Sequence, residues 1–235
     1  MRKLRRLALG AGLAVFGASP SLAQLDRQIP VIDGPTYTMT YLEVVPSATA
    51  QALNLLKDYR DASRKEQGAM FVEIYQEQGQ SHRFVLREIW QNRGAAAAHG
   101  NAAAMNALAQ KLKPVELGPI DTRIHQANAV TQAKAPNPND VFIISHVDVA
   151  GGNTQNLINQ LGTLGEASRK ENGMAQYEIL DEVPAHSNHF RTFEEWTSMA
   201  AFEAHDRAPQ TQTFRNTVLQ WLGTPYDQRI YKLVN

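Results

Sequence analysis

The sequence predicts an α+β fold: two ferredoxin-like β-α-β-β-α-β units that form a pseudo-dimeric α+β barrel within one chain. Three observations predict it. The first is a long internal repeat: Ala62-Ser63-Arg64-Lys65-Glu66 followed by Gly68 returns as Ala167-Ser168-Arg169-Lys170-Glu171 followed by Gly173. The second is its reach. Phe84, Glu88, Trp90 and His99 answer to Phe190, Glu194, Trp196 and His205, and Pro119, Asp121, Arg123 and Ile124 answer to Pro225, Asp227, Arg229 and Ile230. The offset moves from 105 to 106, as one inserted residue requires, and a period this long marks two whole domains rather than a solenoid. The third is that each unit runs through the same order of strand and helix patterns.

Residues 1–23 read as a signal peptide. Arg2, Lys3, Arg5 and Arg6 form a basic start, Leu7 to Phe16 a short apolar run, and Ser21-Leu22-Ala23 the small residues of a cleavage site. A periplasmic or secreted protein is the expectation, with no membrane span left after cleavage. The full chain has 23 basic and 23 acidic residues; residues 1–23 hold four basic and no acidic ones, so 19 face 23 in the mature form. That balance gives no electrostatic case for nucleic acid. Cysteine is absent, which excludes disulfides and thiolate chemistry.

Residues 24–36 are a polar lead-in, and unit one spans 37–130. A linker at 131–139 contains two prolines and no large apolar residue, and unit two spans 140–235. Each unit opens on a β-branched and aromatic run, Tyr37–Val45 and Val141–Val149, predicted as a strand. A helix follows, with Leu53, Leu56, Tyr59 and Ala62 on one face in unit one and Ile158, Leu161, Leu164 and Ala167 in unit two. Gly68 and Gly173 are predicted to end these helices as C′ residues. Alternation around Val72 and Ile74, and around Tyr177 and Ile179, gives a second strand. In the third, Phe84, Leu86, Glu88 and Trp90 share a face, matched by Phe190, Thr192, Glu194 and Trp196. A helical region with His99 or His205 near its start and a last strand (about 120–130 and 226–234) close each unit. One face of such a sheet lacks helices, so the two sheets are expected to cover each other and close into a barrel.

The ordered set Glu66-Gln67-Gly68, Glu73, Phe84, Glu88, Trp90, Ala98-His99, repeated as Glu171-Asn172-Gly173, Glu178, Phe190, Glu194, Trp196, Ala204-His205, resembles the antibiotic biosynthesis monooxygenase family. The resemblance spans nearly all of the mature chain. It implies a dimeric α+β barrel fused into one chain. It also implies oxygenation of a phenol or quinol by molecular oxygen, in many members without metal or flavin, because an electron-rich phenolate can itself reduce oxygen. No cofactor is therefore expected. Neither a Gly-rich dinucleotide loop nor a close His pair on a predicted helix is present. His186 and His189 are read as turn surface, and no metal site is expected.

The candidate catalytic residues are His99, His205, Glu88 and Glu194. A histidine serves as base toward a phenol or locks domain geometry through backbone bonds. A strand carboxylate serves as base if buried, or caps a helix, or pairs with an arginine, for which Arg123 and Arg229 are the expected partners. The candidate substrate-binding residues are Trp90, Trp196, Tyr41, His146, Arg123 and Arg229. The tryptophans make either an aromatic wall or core packing. Tyr41 and His146 occupy matching positions, polar but different, which points to a cavity or to a solvent-facing strand. The repeated Ala-Ser-Arg-Lys-Glu run is read as structural. A second function class is a barrel that binds a hydrophobic ligand without turnover. A third, haem binding, finds no histidine in Asn106–Lys113 or Arg215–Trp221, where the haem-degrading branch carries its ligand. Further self-association of the fused dimer is left open.

Overall fold

The computed structural model describes residues 34–130, 135–183 and 188–235. The expected signal peptide, most of the lead-in, part of the linker and His186 lie outside the described residues. Unit one comprises β1 (Thr36–Glu43), α1 (Thr49–Ser63), β2 (Ala69–Glu77), β3 (Arg83–Trp90), α2 (Arg93–Gly100), α3 (Ala103–Leu112) and β4 (Asp121–Ala129). Unit two repeats them as β5 (Val141–Asp148), α4 (Thr154–Ser168), β6 (Met174–Glu182), β7 (His189–Trp196), α5 (Met199–Arg207), α6 (Pro209–Val218) and β8 (Asp227–Leu233). No helix among the described residues is long and apolar enough to cross a membrane.

The eight strands form one closed antiparallel barrel in the order β1-β3-β2-β8-β5-β7-β6-β4. Each unit's last strand is the seam. β4 pairs with β1 of its own unit and β6 of the other, and β8 pairs with β5 and β2. Closure removes the open sheet edges that an isolated unit would present.

Because side chains alternate across a strand, every strand feeds two cores. Inside the barrel Tyr37, Met39, Tyr75, Val85 and Ile89 of unit one meet Phe142, Ile144, Leu180, Phe193 and Tyr231 of unit two, and no helix contributes. Outside, each unit packs its helices on its own strands. Leu56, Tyr59, Leu108 and Leu112 cover Ile74, Phe84 and Leu86 in unit one, while Leu161, Leu164, Phe214 and Val218 cover Tyr177, Ile179 and Phe190 in unit two. Each such aliphatic or aromatic side chain contributes roughly 1.5–3 kcal/mol by leaving water.

Two expectations are corrected. The second helical region is two helices, not one. The chain turns extended at Ala102 and at Ala208. In unit two Pro209 follows, and a residue before proline avoids the α region. His99 consequently lies in the last turn of α2 rather than at a helix start. The N-termini of α2 and α5 are capped by side chains, Ala95 N–H donating to Asn92 Oδ1 at 2.9 Å and Ala201 N–H to Ser198 Oγ at 3.2 Å. Secondly, Gly68 and Gly173 are not C′ residues, since α1 and α4 end at Ser63 and Ser168. Both have positive φ, 85° and 86°, in the turn entering the next strand. A Cβ on Gly68 would lie 2.7 Å from Ala95 Cβ, and one on Gly173 2.6 Å from Ala201 Cβ. The glycines let that turn touch the start of α2 or α5, which brings Glu66 and Glu171 to the histidines.

Candidate functional site

In unit one Glu88 and Trp90 point from β3 toward the helices, where His99 descends from α2. Trp90 and His99 stack with ring centroids 4.2 Å apart. Tyr59 of α1 completes the cluster. Its hydroxyl lies 2.6 Å from Glu88 Oε1 and 2.6 Å from His99 Nε2. His99 Nδ1 is 2.8 Å from Glu66 Oε2. The second oxygen of Glu88 accepts from Thr38 Oγ1 at 2.7 Å and Trp90 Nε1 at 3.2 Å. Glu88 and His99 are 1% and 3% exposed. Burial opposes charge on His99, but Glu88 and then Glu66 outweigh it and raise the imidazole above its usual pKa. Burial likewise pushes Glu88 up, and the bonds and charge of His99, with Tyr59 and Thr38, overcome it and hold the carboxyl below its usual range. One proton arrangement satisfies every group: His99 charged, donating to Glu66 and to Tyr59, and Tyr59 donating to Glu88. Tyr59 also lines a cavity of about 160 Å³ between α1 and α3, with Leu55, Asp58, Ala62, Leu108 and Lys111.

Unit two keeps part of this. His205 Nδ1 is 3.0 Å from Glu171 Oε1, and Trp196 Nε1 donates to Glu194 Oε2 at 3.0 Å. Leu164 stands where Tyr59 stands, and Ile143 where Thr38 stands. Glu194 loses both hydroxyl donors and accepts instead from Thr192 Oγ1 at 3.1 Å, while His205 Nε2 is 3.9 Å away. Burial therefore prevails and raises the Glu194 carboxyl, the opposite of Glu88.

The other four candidates lie elsewhere. Tyr41, His146, Arg123 and Arg229 converge at one mouth of the barrel, on the axis relating the two units, around a cavity of about 480 Å³. The Tyr41 and His146 rings are 5.3 Å apart. Arg123 and Arg229 are not the partners of Glu88 and Glu194, because alternation puts them on the opposite face of the sheet. Arg123 binds Asp121 at 2.9 Å and Arg229 binds Asp227 at 2.9 Å, with longer contacts to Glu182 and Glu77 of the opposite units. Burial and then Arg191, Arg123 and Arg229 push His146 down to about 2, so it is an uncharged ring. Among the described residues no group of three or more histidine, aspartate or glutamate side chains is placed to hold a metal.

A family model, antibiotic biosynthesis monooxygenase, matches the sequence twice, over residues 35–111 and 140–217. The chain belongs to the antibiotic biosynthesis monooxygenase family. Solved structures share its whole barrel. A candidate monooxygenase from Fusobacterium nucleatum aligns over 87% of this chain and 94% of its own with a TM-score of 0.75 at 13% identity. An anthrone oxidase-like protein aligns over 88% and 95% with a TM-score of 0.71 at 14% identity. A major regulator of staphylococcal pathogenesis aligns over 85% and 99% with a TM-score of 0.57 at 9% identity. At these identities the likeness is one of fold. None of the curated proteins matches the sequence.

Both matched segments of this family member carry a Glu-Trp-His cluster, and only the first carries the tyrosine. Sequence reasoning missed Tyr59, Thr38 and Glu66. A usable signal was present: within aligned helices and strands, Tyr59 faces Leu164 and Thr38 faces Ile143, polar against apolar at positions that are buried in both units.

Proposed function

We propose that this is an exported oxygenase that uses molecular oxygen, without metal or flavin, on a small phenol or quinol, and that the chemistry resides in unit one. The observation that carries the reading is the hydrogen-bonded run Glu66–His99–Tyr59–Glu88, in which Tyr59 lines the α1–α3 cavity. Family membership supports the reaction class. For a quinol the balance is quinol plus oxygen giving hydroxyquinone plus water, with the substrate supplying all four electrons. The protein has to move protons and exclude water. A substrate hydroxyl in the cavity gives its proton to Tyr59 Oη as Tyr59 passes its own to Glu88 Oε1. His99 fixes Tyr59 from the other side and keeps positive charge next to the relay. His99 acts here as a donor and not as the base. Trp90 packs His99 and donates to Glu88, which makes it a positioning residue.

The test is oxygen uptake by the purified, metal-free protein with a panel of quinols. Uptake above autoxidation is expected, reduced about a hundredfold in Tyr59→Phe, the scale of a lost proton-transfer group. His205→Gln is expected to leave the rate unchanged. Equal rates in wild type and Tyr59→Phe would overturn the relay, and no uptake with any quinol would overturn the oxygenase reading. The reading then favoured is a ligand-binding barrel without turnover.

A further inference from the structure

The barrel mouth is remote in topology from the Tyr59 cluster, because it opens on the strand face that no helix covers. Its arginines come in a symmetric pair, one from each seam strand. Asp121 occupies Nε and Nη2 of Arg123, and Asp227 occupies Nε and Nη2 of Arg229. Among the described residues the remaining nitrogen of each, Nη1, has a glutamate beyond hydrogen-bond distance, Glu182 at 3.7 Å and Glu77 at 3.8 Å. Each Nη1 thus has a long ion pair and makes no hydrogen bond among the described residues, and both arginines line the same cavity. His146 adds its ring to the cavity wall.

We propose that this mouth is a binding site for a small aromatic monocarboxylate, held by the Nη1 groups of Arg123 and Arg229, which no hydrogen bond occupies, and packed on the Tyr41 and His146 rings. The cavity, about 480 Å³, falls in the range of small-molecule sites. The ring requirement comes from Tyr41, His146 and Pro225 on its wall. A single negative charge follows from the balance of the lining. Asp121, Asp148 and Asp227 face the cavity, Glu182 and Glu77 stand beside the two arginines, and together they oppose a polyanion. Deeper in, Arg191, Arg123 and Arg229 add to burial in lowering the His146 imidazole, the direction a positive field gives. Arg191 itself is tied to Asp148 and Glu182 and supplies charge rather than a contact. The site does not depend on the oxygenase reading.

Calorimetric titration of the purified protein with benzoate, benzamide and inorganic phosphate tests it. Expected are one benzoate per chain, with benzamide and phosphate each at least tenfold weaker. Arg123→Gln/Arg229→Gln should weaken benzoate at least tenfold, and Tyr59→Phe should leave it unchanged. Absence of saturable benzoate binding overturns the proposal, as does benzamide binding equally well. Loss of binding in Tyr59→Phe overturns it too, by placing the ligand in the α1–α3 cavity. If the double arginine variant does not fold, the benzoate–benzamide comparison in the wild type decides.

Discussion

A single carboxyl shows how burial sets chemistry here. Asp181, on the helix side of β6, is 2% exposed and accepts from Asn128 Nδ2 at 3.0 Å. Burial outweighs that bond and raises its pKa from 3.8 to about 6. A folded-state pKa above the unfolded one means that ionisation favours unfolding. Stability is therefore unaffected below pH 3.8, falls as pH rises toward 6, and stays reduced above it. Asp181→Asn keeps the acceptor and removes the charge. It should add on the order of 2 kcal/mol at pH 8 and nothing at pH 3.5, read from urea unfolding at the two pH values. The His99–Glu88 pair behaves in the opposite sense. The raised His99 contributes stability that is present below pH 6.5 and lost as pH rises through its folded pKa, and the lowered Glu88 contributes stability that is lost on acidification. His99→Gln should flatten the neutral-to-alkaline limb of the stability profile, measured by thermal unfolding from pH 6 to 9. The residue types of this site were legible in the sequence because the repeat singled them out. Their grouping was not. Whether a strand side chain faces helix or barrel is a register question, and the repeat is silent on register. It separated Arg123 and Arg229 from Glu88 and Glu194, to which the sequence had assigned them.

At the scale of elements, strands and first helices were readable because alternation and helical spacing are strong where one face is buried. The buried positions of α1 are Ala52, Leu56, Tyr59 and Ser63, so the every-third-residue stripe through Leu53 and Ala62 drifted off the true face at both ends. The break between α2 and α3 left no comparable mark, since Ala95–Ala104 is favourable to helix throughout apart from Gly100 and Asn101. The glycine turns were legible as glycines and misplaced as caps. Their purpose is a close approach that only the tertiary structure shows. Gly173→Ala has to force a Cβ against Ala201 Cβ and within 2.9 Å of Thr197 Oγ1 while holding φ at 86°. Gly79→Ala carries the same positive φ with nothing within 4 Å of its new Cβ. Strain alone costs about 1 kcal/mol, and the clash adds at least as much. Thermal unfolding should therefore rank Gly173→Ala well below Gly79→Ala. Equal melting temperatures would show that the turn moves freely away from α5.

Across the whole molecule, the barrel interior is built from both units and belongs to neither. At its centre Arg87 of unit one donates to Glu178 of unit two at 2.5 Å, with both side chains at most 1% exposed. The guanidinium lies over the rings of Phe71 and Phe193, 4.8 and 4.2 Å from their centres. Removing one partner strands a buried charge, so Arg87→Met should cost about 3–5 kcal/mol, and Arg87→Met/Glu178→Leu should recover most of it. The same geometry predicts what unit one does alone. Residues 34–130 without unit two would expose the interior faces of Tyr37, Met39, Tyr75, Val85 and Ile89 and leave the outer edges of β2 and β4 unpaired. A folded monomer is therefore not expected. A second copy supplies what is missing, because the units are repeats: β4 of one copy can pair with β2 of the other, as β4 pairs with β6 in the intact chain. Arg87 would then face Glu73, which occupies in unit one the place of Glu178 in unit two. Light scattering behind size-exclusion chromatography should find this segment as a dimer of four-stranded units, and dilution should unfold it rather than release monomers, since the shared core is lost on separation. A stable, folded monomer would mean that the helix-side core of unit one suffices by itself, and the closed barrel would then be a docking of two independent domains.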